Sequence, residues 1–114
     1  MHVRERWSKG VAIVDLAGTL TCLHPNALKD AVSKLVRRGE KHIVLNLRDV
    51  TYVDSGGLGL LVSCYTRATN AEATIALANA SPRVYELLSV TNVLTIFDLF
   101  DSEAEAAASF AAAA

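Results

Sequence analysis

The sequence predicts a single α/β domain, with a mixed sheet of four to five strands and about four helices packed mainly on one face. A chain of 114 residues suits one domain that buries roughly two-thirds of its unfolded surface. The segment Lys41–Leu47 is nearly all apolar, as in a strand that is buried on both faces and runs parallel to a neighbour. Short apolar runs alternate with stretches of helical periodicity. Together they give the order β-β-α-β-α-β-α-β-α.

The first elements are a hairpin and a helix. Strands Val3–Trp7 and Val11–Leu16 flank the turn residues Ser8-Lys9-Gly10, which predicts an antiparallel pair. Gly18 is expected to end the second strand. Apolar residues at helical spacing then predict a helix over Pro25–Arg38, with cations in its last turn where the helix dipole favours them.

The central elements are a strand and a second helix. Turn residues Arg48-Asp49 and a second apolar run, Val50–Val53, follow the Lys41–Leu47 strand. A helix then begins close to Ser55. Its residues predicted to face the sheet are Leu58, Leu61, Val62 and Tyr65. Its residues predicted to lie nearer the outer side are Leu60, Cys64 and Arg67, and the first two would form a patch for a partner.

The remaining elements complete one domain over residues 1–114. A strand is predicted at Ala73–Ala78, and a helix opens at Ser81-Pro82, because proline is well tolerated at the first helical position. A short strand is expected around Leu94–Phe97. The last helix starts at Ser102, and the alanine-rich tail continues it.

Asp54 and Ser55 stand where the central strand passes into the helix. Both residue types are preferred helix N-caps, so one interpretation is that they only cap the helix. The other is that Ser55 accepts a phosphoryl group, whose negative charge the helix dipole would favour and Asp54 would repel. Gly56, Gly57 and Gly59 would let another molecule approach closely. Spacing alone leaves both interpretations open.

Composition excludes several classes of function. A net charge of −1 and a pI near 6.3 give no case for nucleic acid binding. No apolar run is long enough to cross a membrane, so a cytoplasmic protein with reduced Cys22 and Cys64 is expected. No metal or other cofactor is expected, because Cys22, His24, His42 and His2 lack the paired short spacings of zinc sites. The histidines are expected at the surface, with Cys64 as a half-buried apolar residue.

Enzymatic activity is not expected either. A hydrolase turn of the Gly-x-Ser-x-Gly type would need glycine where Val53 stands. A phosphate-binding loop would need Lys followed by Ser or Thr after the glycines, but Leu60 and Leu61 follow Gly59.

Several segments resemble one known family. They are Val14–Leu20, Ala27–Val32, Val44–Leu47, Val50–Leu61, Ala78–Val84 and Phe97–Ala106. In this order they resemble STAS domains, and in particular the bacterial anti-sigma factor antagonists. The similarity is specific over Asp54–Leu61 and diffuse elsewhere.

The resemblance implies a switch controlled by phosphorylation. A partner anti-sigma factor, itself an ATP-binding serine kinase, would phosphorylate Ser55, and a phosphatase would remove the phosphate. The unphosphorylated domain would bind the anti-sigma factor and release a sigma factor. The resemblance is also compatible with a homodimer. The residues implied to contact the partner are Asp54, Gly56, Gly57, Leu58, Gly59, Leu60, Cys64, Thr21 and His24.

The sequence also departs from the family pattern. Asn46 stands where many relatives have aspartate, the Thr21-Cys22-Leu23-His24 loop lacks an acidic residue, and Cys64 replaces a common basic residue. In relatives the acidic groups lie near the acceptor serine. The alternative function is therefore a constitutive STAS subunit of a stress-signalling or lipid-transport complex, in which Ser55 is not phosphorylated.

Overall fold

The computed structural model describes residues 2–8, 10–21 and 26–112. Within these ranges the chain forms five strands, four α-helices and one short 3₁₀-helix. The strands are β1 His2–Ser8, β2 Val11–Leu20, β3 His42–Val53, β4 Thr74–Ala78 and β5 Asp98–Phe100. The helices are α1 Asn26–Arg37, α2 Ser55–Asn70, α3 Pro82–Val90 and α4 Glu103–Ala112, and the 3₁₀-helix is Val93–Thr95. The predicted alternation of strands and helices is confirmed.

The strands form one mixed sheet in the order β1-β2-β3-β4-β5. β1 is antiparallel to β2, and every later pair is parallel. α1, α2 and α3 lie on one face of the sheet, where their buried side chains share a core. α4 packs on the other face through Ala106 and Phe110. The predicted α/β class, with helices mainly on one face, is confirmed.

The central strand β3 shows why its sequence is nearly all apolar. Ile43, Leu45 and Leu47 point into the core beneath α1, α2 and α3, and Val44 points toward α4. All four side chains are fully buried. A strand covered on both faces cannot alternate apolar with polar residues.

Two predicted breaks in the strands are wrong. Gly18 does not end β2, which continues to Leu20 and has a φ of +102° at Gly18. Arg48-Asp49 is not a turn, because β3 runs unbroken to Val53. The register with β2 shifts twice, and at each shift β3 carries an extra residue. Such bulges bend a strand without ending it, and the local composition of a bulge resembles that of a turn.

The strand predicted at Leu94–Phe97 is also wrong. The 3₁₀-helix Val93–Thr95 occupies the first two residues of this segment, and β5 follows at Asp98–Phe100. Val93 and Phe97 are both buried, and the Phe97 N–H donates to the Val93 carbonyl at 3.2 Å. A short apolar run fits a helical turn as well as a strand, so periodicity cannot separate the two.

α4 and the sheet beneath it hold a half-buried histidine. The His42 ring stacks on Phe110, with 4.7 Å between the ring centroids. The expectation that the histidines lie at the surface is therefore wrong for His42.

Within the described part of the chain, no helix has the length and apolar character that crossing a bilayer requires.

A polar network ties α4 to the first strands. The Arg6 guanidinium donates to Asp15 through Nε at 2.5 Å and Nη2 at 2.9 Å, and it also donates to the Glu103 carboxylate. These contacts raise the pKa of Arg6. The guanidinium therefore joins β1, β2 and the first turn of α4.

Asn46 extends the same network into the centre of the sheet. It is a buried polar residue of β3, 8% exposed. Its Nδ2 donates to Asp15 at 2.7 Å, and its Oδ1 accepts from the Asn79 amide at 3.0 Å and from the Arg48 N–H at 3.2 Å. The residue that departs from the family pattern thus has a structural place on the α4 face of the sheet.

The network makes stability depend on pH. Hydrogen bonds from Arg6 lower the pKa of Asp15 below its ordinary 3.8, outweighing partial burial, and the Asn46 amide adds to the lowering. Because the folded pKa is depressed, the stabilisation is complete above the unfolded value and is lost as pH falls through the folded one. We expect Asp15→Asn to lower the free energy of unfolding by about 1 kcal/mol at neutral pH.

Urea unfolding at a series of pH values measures this effect. The deficit of Asp15→Asn relative to the parent should shrink at pH values well below 3.8. A deficit that is constant down to the lowest pH would contradict the assigned role of Asp15.

Candidate functional site

The turn from β3 into α2 is capped by Asp54. Its backbone is extended, and its Oδ1 accepts the Gly57 N–H at 2.7 Å. The Asp54 carbonyl accepts the Leu58 N–H at 2.9 Å, the first hydrogen bond of the helix. Asp54 is therefore the N-cap, and Ser55 is the first residue of α2. Of the two residues Asp54 and Ser55, which were both interpreted as caps, only Asp54 caps the helix.

Gly57 packs α2 directly onto the end of β2. A Cβ added at Gly57 would overlap the Leu20 carbonyl oxygen and lie 2.6 Å from the carbonyl carbon, closer than real Cβ atoms approach. The same carbonyl accepts the Asp54 N–H at 3.2 Å. Only glycine permits this approach, so the position of the first turn is set by backbone contacts on both sides of Ser55.

Ser55 itself is exposed, at the positive end of the α2 dipole. Gly56 is half-buried, while Gly59 is exposed one helical turn after Ser55. A Cβ added at Gly59 would meet nothing within 4 Å. The fold of this chain therefore requires glycine at position 57 and does not require it at position 59.

The predicted orientation of α2 is wrong for three residues. Leu60 and Cys64, expected near the outer side, are 5% and 1% exposed, whereas Val62, expected to face the sheet, is 39% exposed. The buried face of α2 runs through Gly57, Leu60, Leu61, Cys64 and Ala68. Gly57 and Ala68 are too small to mark this face as apolar in the sequence. Because Leu60 and Leu61 are adjacent, the sequence also leaves open which side of the helix faces the core.

Burial also decides the chemistry of Cys64. Removal from water raises the pKa of its thiol to about 11. Neither Leu60 nor Cys64 can contact a docked partner on this surface, so the predicted patch of these two residues does not exist.

Two other predicted core residues of α2 lie at its margin. Leu58 and Tyr65 are half-buried and pack against the core. The Tyr65 ring meets Phe97 edge to face, with centroids 5.4 Å apart. Leu58 follows Ser55 by three residues and keeps part of its surface exposed, so it can contribute to a partner contact.

The chain leaving β2 lies next to this turn. Thr21 follows Leu20, whose carbonyl accepts from Asp54, and it is half-buried. Cys22 and His24 of the same predicted loop lie outside the described residues. The structure thus brings Thr21 to the Ser55 turn.

Sequence reasoning missed an aromatic and a cation at the same edge of the sheet. Tyr52, near the end of β3, is 40% exposed. The Arg83 guanidinium of α3 lies 5.5 Å from the centre of its ring. An exposed tyrosine three residues before the acceptor candidate was a usable signal, but the apolar run around it favoured a core position.

No described group of three or more His, Cys, Asp or Glu side chains is placed to hold a metal ion. At the turn itself, the described hydrogen bonds of Asp54 are all with backbone groups of its own helix and of β2. The turn therefore leaves the exposed Ser55 as the residue that offers a hydroxyl to an incoming molecule.

The sequence matches a known protein family over most of its length. The family model described as STAS domain matches residues 4–106. The anti-sigma F factor antagonist of Paenibacillus polymyxa is 28% identical, over 93% of this chain and 92% of the relative.

Two solved structures share the fold. The crystal structure of a Thermotoga maritima protein, described as a candidate anti-sigma factor antagonist, has a TM-score of 0.84 at 25% identity, covering 94% of this chain and 92% of that one. The Bacillus cell fate determinant SpoIIAA in its phosphorylated form has a TM-score of 0.71 at 18% identity, covering 96% and 99%.

The two glycines provide a matched pair of variants. Gly57→Ala should lower the free energy of unfolding by about 1–3 kcal/mol, because the methyl group must displace the Leu20 backbone. Gly59→Ala should raise it by roughly 0.5–1 kcal/mol, since alanine favours the helix and meets no neighbour. Denaturant unfolding checks both. Shifts of the same sign would show that the packing at Gly57 is not as described.

Proposed function

The chain belongs to the STAS domain family, and from this premise we propose that it is an anti-sigma factor antagonist, a binding protein and not an enzyme. In its unphosphorylated form it binds a kinase-type anti-sigma factor and thereby frees a sigma factor. The name of the Paenibacillus polymyxa relative supports this proposal. The observation that carries it is the exposed Ser55 hydroxyl at the start of α2, beside a separate N-cap residue.

Ser55 is the phosphate acceptor in this proposal. Its Oγ attacks the γ-phosphorus of the ATP held by the partner, the bond to ADP breaks, and the hydroxyl proton passes to a base on the partner. A phosphatase later hydrolyses the phosphoserine. The product carries about −1.5 to −2 charges at neutral pH. SpoIIAA, which shares the fold, has been solved in a phosphorylated form.

The partner's contact surface surrounds Ser55. We define the docking surface as Thr21, Asp54, Gly56, Leu58 and Gly59, with Gly57 buried beneath it. A glycine at an exposed helical position costs stability. Because the chain's own packing does not require Gly59, the residue is explained by a partner that approaches the helix backbone closely.

The remaining partners follow from the same mechanism. The kinase brings its own ATP, so this chain needs no cofactor. Phosphorylation by an ATP-dependent kinase is consistent with a cytoplasmic protein. Neither a nucleic acid nor a membrane has a part in this mechanism.

The acceptor role is tested by phosphate transfer. Each serine-kinase anti-sigma factor encoded in the host genome is purified and incubated with the chain and ATP, and the products are mapped by mass spectrometry. We expect one phosphate on Ser55 and none on Ser55→Ala. Ser89→Ala is the matched control, because Ser89 is an exposed serine of α3, away from α2, and it should be phosphorylated like the parent.

Binding of the same kinase distinguishes the switch from a constitutive subunit. Ser55→Ala should bind as the parent does, and Ser55→Asp should bind at least tenfold more weakly, because it imitates part of the phosphate charge. A constitutive STAS scaffold predicts no phosphate and equal binding of both variants. That outcome would overturn the switch.

Gly59→Ala tests the close approach separately. The added methyl group should weaken kinase binding roughly tenfold or more, since one misplaced group in a tight contact costs about 1–3 kcal/mol. The same variant should be more stable than the parent. Ala71→Gly, at the distant C-cap of α2, is the control and should leave binding unchanged. Unaltered binding of Gly59→Ala would remove Gly59 from the docking surface.

A further inference from the structure

A groove between α1 and α2 carries two cations. It has a volume of about 440 Å³ and is lined by Lys29 of α1 and by Val62, Ser63, Thr66, Arg67 and Asn70 of α2. None of these lining residues is acidic. Within the described residues, neither Lys29 nor Arg67 takes part in an ion pair.

Lys29 of α1 and Arg67 of α2 line this groove together. Two like charges beside one groove repel each other. α2 itself contains no Asp or Glu that would offset them.

The groove shares the exposed face of α2 with Ser55. Ser55, Gly59, Val62, Ser63 and Thr66 are all exposed and recur at helical spacing. With a rise of 1.5 Å per residue, Arg67 lies about 18 Å along the helix axis from Ser55. A partner of ordinary interface size that covers Ser55 therefore also reaches the groove.

We propose that this groove receives an acidic segment of the anti-sigma kinase, and that its Asp or Glu side chains pair with Lys29 and Arg67. The inference rests on the proposed function and adds the chemistry that selects the partner. Complementary charges at the edge of an interface steer association and exclude wrong partners. A partner with a neutral or basic segment at this place would meet two unpaired cations. The acidic segment thus provides specificity that does not depend on Ser55.

Charge reversal tests the groove. The kinase that phosphorylates Ser55 is titrated into the parent, Lys29→Glu, Arg67→Glu and the double variant, at low and at high ionic strength. Each single reversal should weaken binding roughly three- to tenfold at low salt, and the loss should diminish at high salt. Arg48→Glu is the matched control, since Arg48 is an exposed cation beside Asp15 and Asn46, and it should bind nearly as the parent does.

Phosphorylation kinetics provide a second measurement. Because Arg67 is about 18 Å along the helix axis from the acceptor, the reversals should raise KM for the chain while kcat is unchanged. Thermal unfolding verifies that each variant is folded. If a reversal disturbs folding, Lys29→Gln and Arg67→Gln remove the charge alone and should each show a smaller loss of the same kind.

The outcomes separate the two proposals. If no serine-kinase anti-sigma factor binds or phosphorylates the parent, the proposed function fails, and this inference fails with it. If the parent is bound and phosphorylated but the groove reversals match Arg48→Glu at low salt, only the role of the groove is overturned. A reversal that impairs kcat and leaves KM unchanged would also overturn it, because the effect would then lie at the acceptor.

Discussion

The backbone of Leu20 is the support on which the Ser55 turn depends. Its carbonyl accepts the Asp54 N–H, and Gly57 packs against the same peptide group. The end of β2 therefore holds the start of α2 at two points, Asp54 and Gly57. The Asp54 side chain closes the first turn at 2.7 Å from the Gly57 N–H. These contacts involve mainly backbone atoms, so the conformation of the turn does not depend on the Ser55 side chain.

The two faces of the sheet have different tasks. The face beneath α1, α2 and α3 holds most of the apolar core and supports the turn. The other face has a small apolar cluster beneath α4 and, beside it, the network around Asp15 and Asn46. A polar group buried in a sheet is tolerated only when its hydrogen bonds are satisfied. Asn46 meets this condition with three partners, so both its amide oxygen and its amide nitrogen are hydrogen-bonded.

The order of elements could be predicted from the sequence because each strongly patterned segment decides its own structure. The boundaries at Gly18 and at Arg48-Asp49 could not, since whether a chain turns or bulges depends on the neighbouring strand. The prediction of which face of α2 is buried failed for a related reason. Its buried face depends on Gly57 and Ala68, whose small size matters only once the opposing backbone is known. The cap and the exposed serine at the site were predictable from local chemistry, whereas the Arg83–Tyr52 pair joins two distant segments.

A phosphate on Ser55 would act on the partner more than on the fold. At an exposed helix start, the dipole favours an anion by about 0.3–1 kcal/mol. Repulsion from Asp54 is of similar size in water, so the two effects nearly cancel, and the first turn stays in place. Under a docked partner the balance changes, because burying an unpaired dianion costs several kcal/mol. A phosphate on Ser55 would therefore lower the affinity for the partner without requiring a conformational change in the domain.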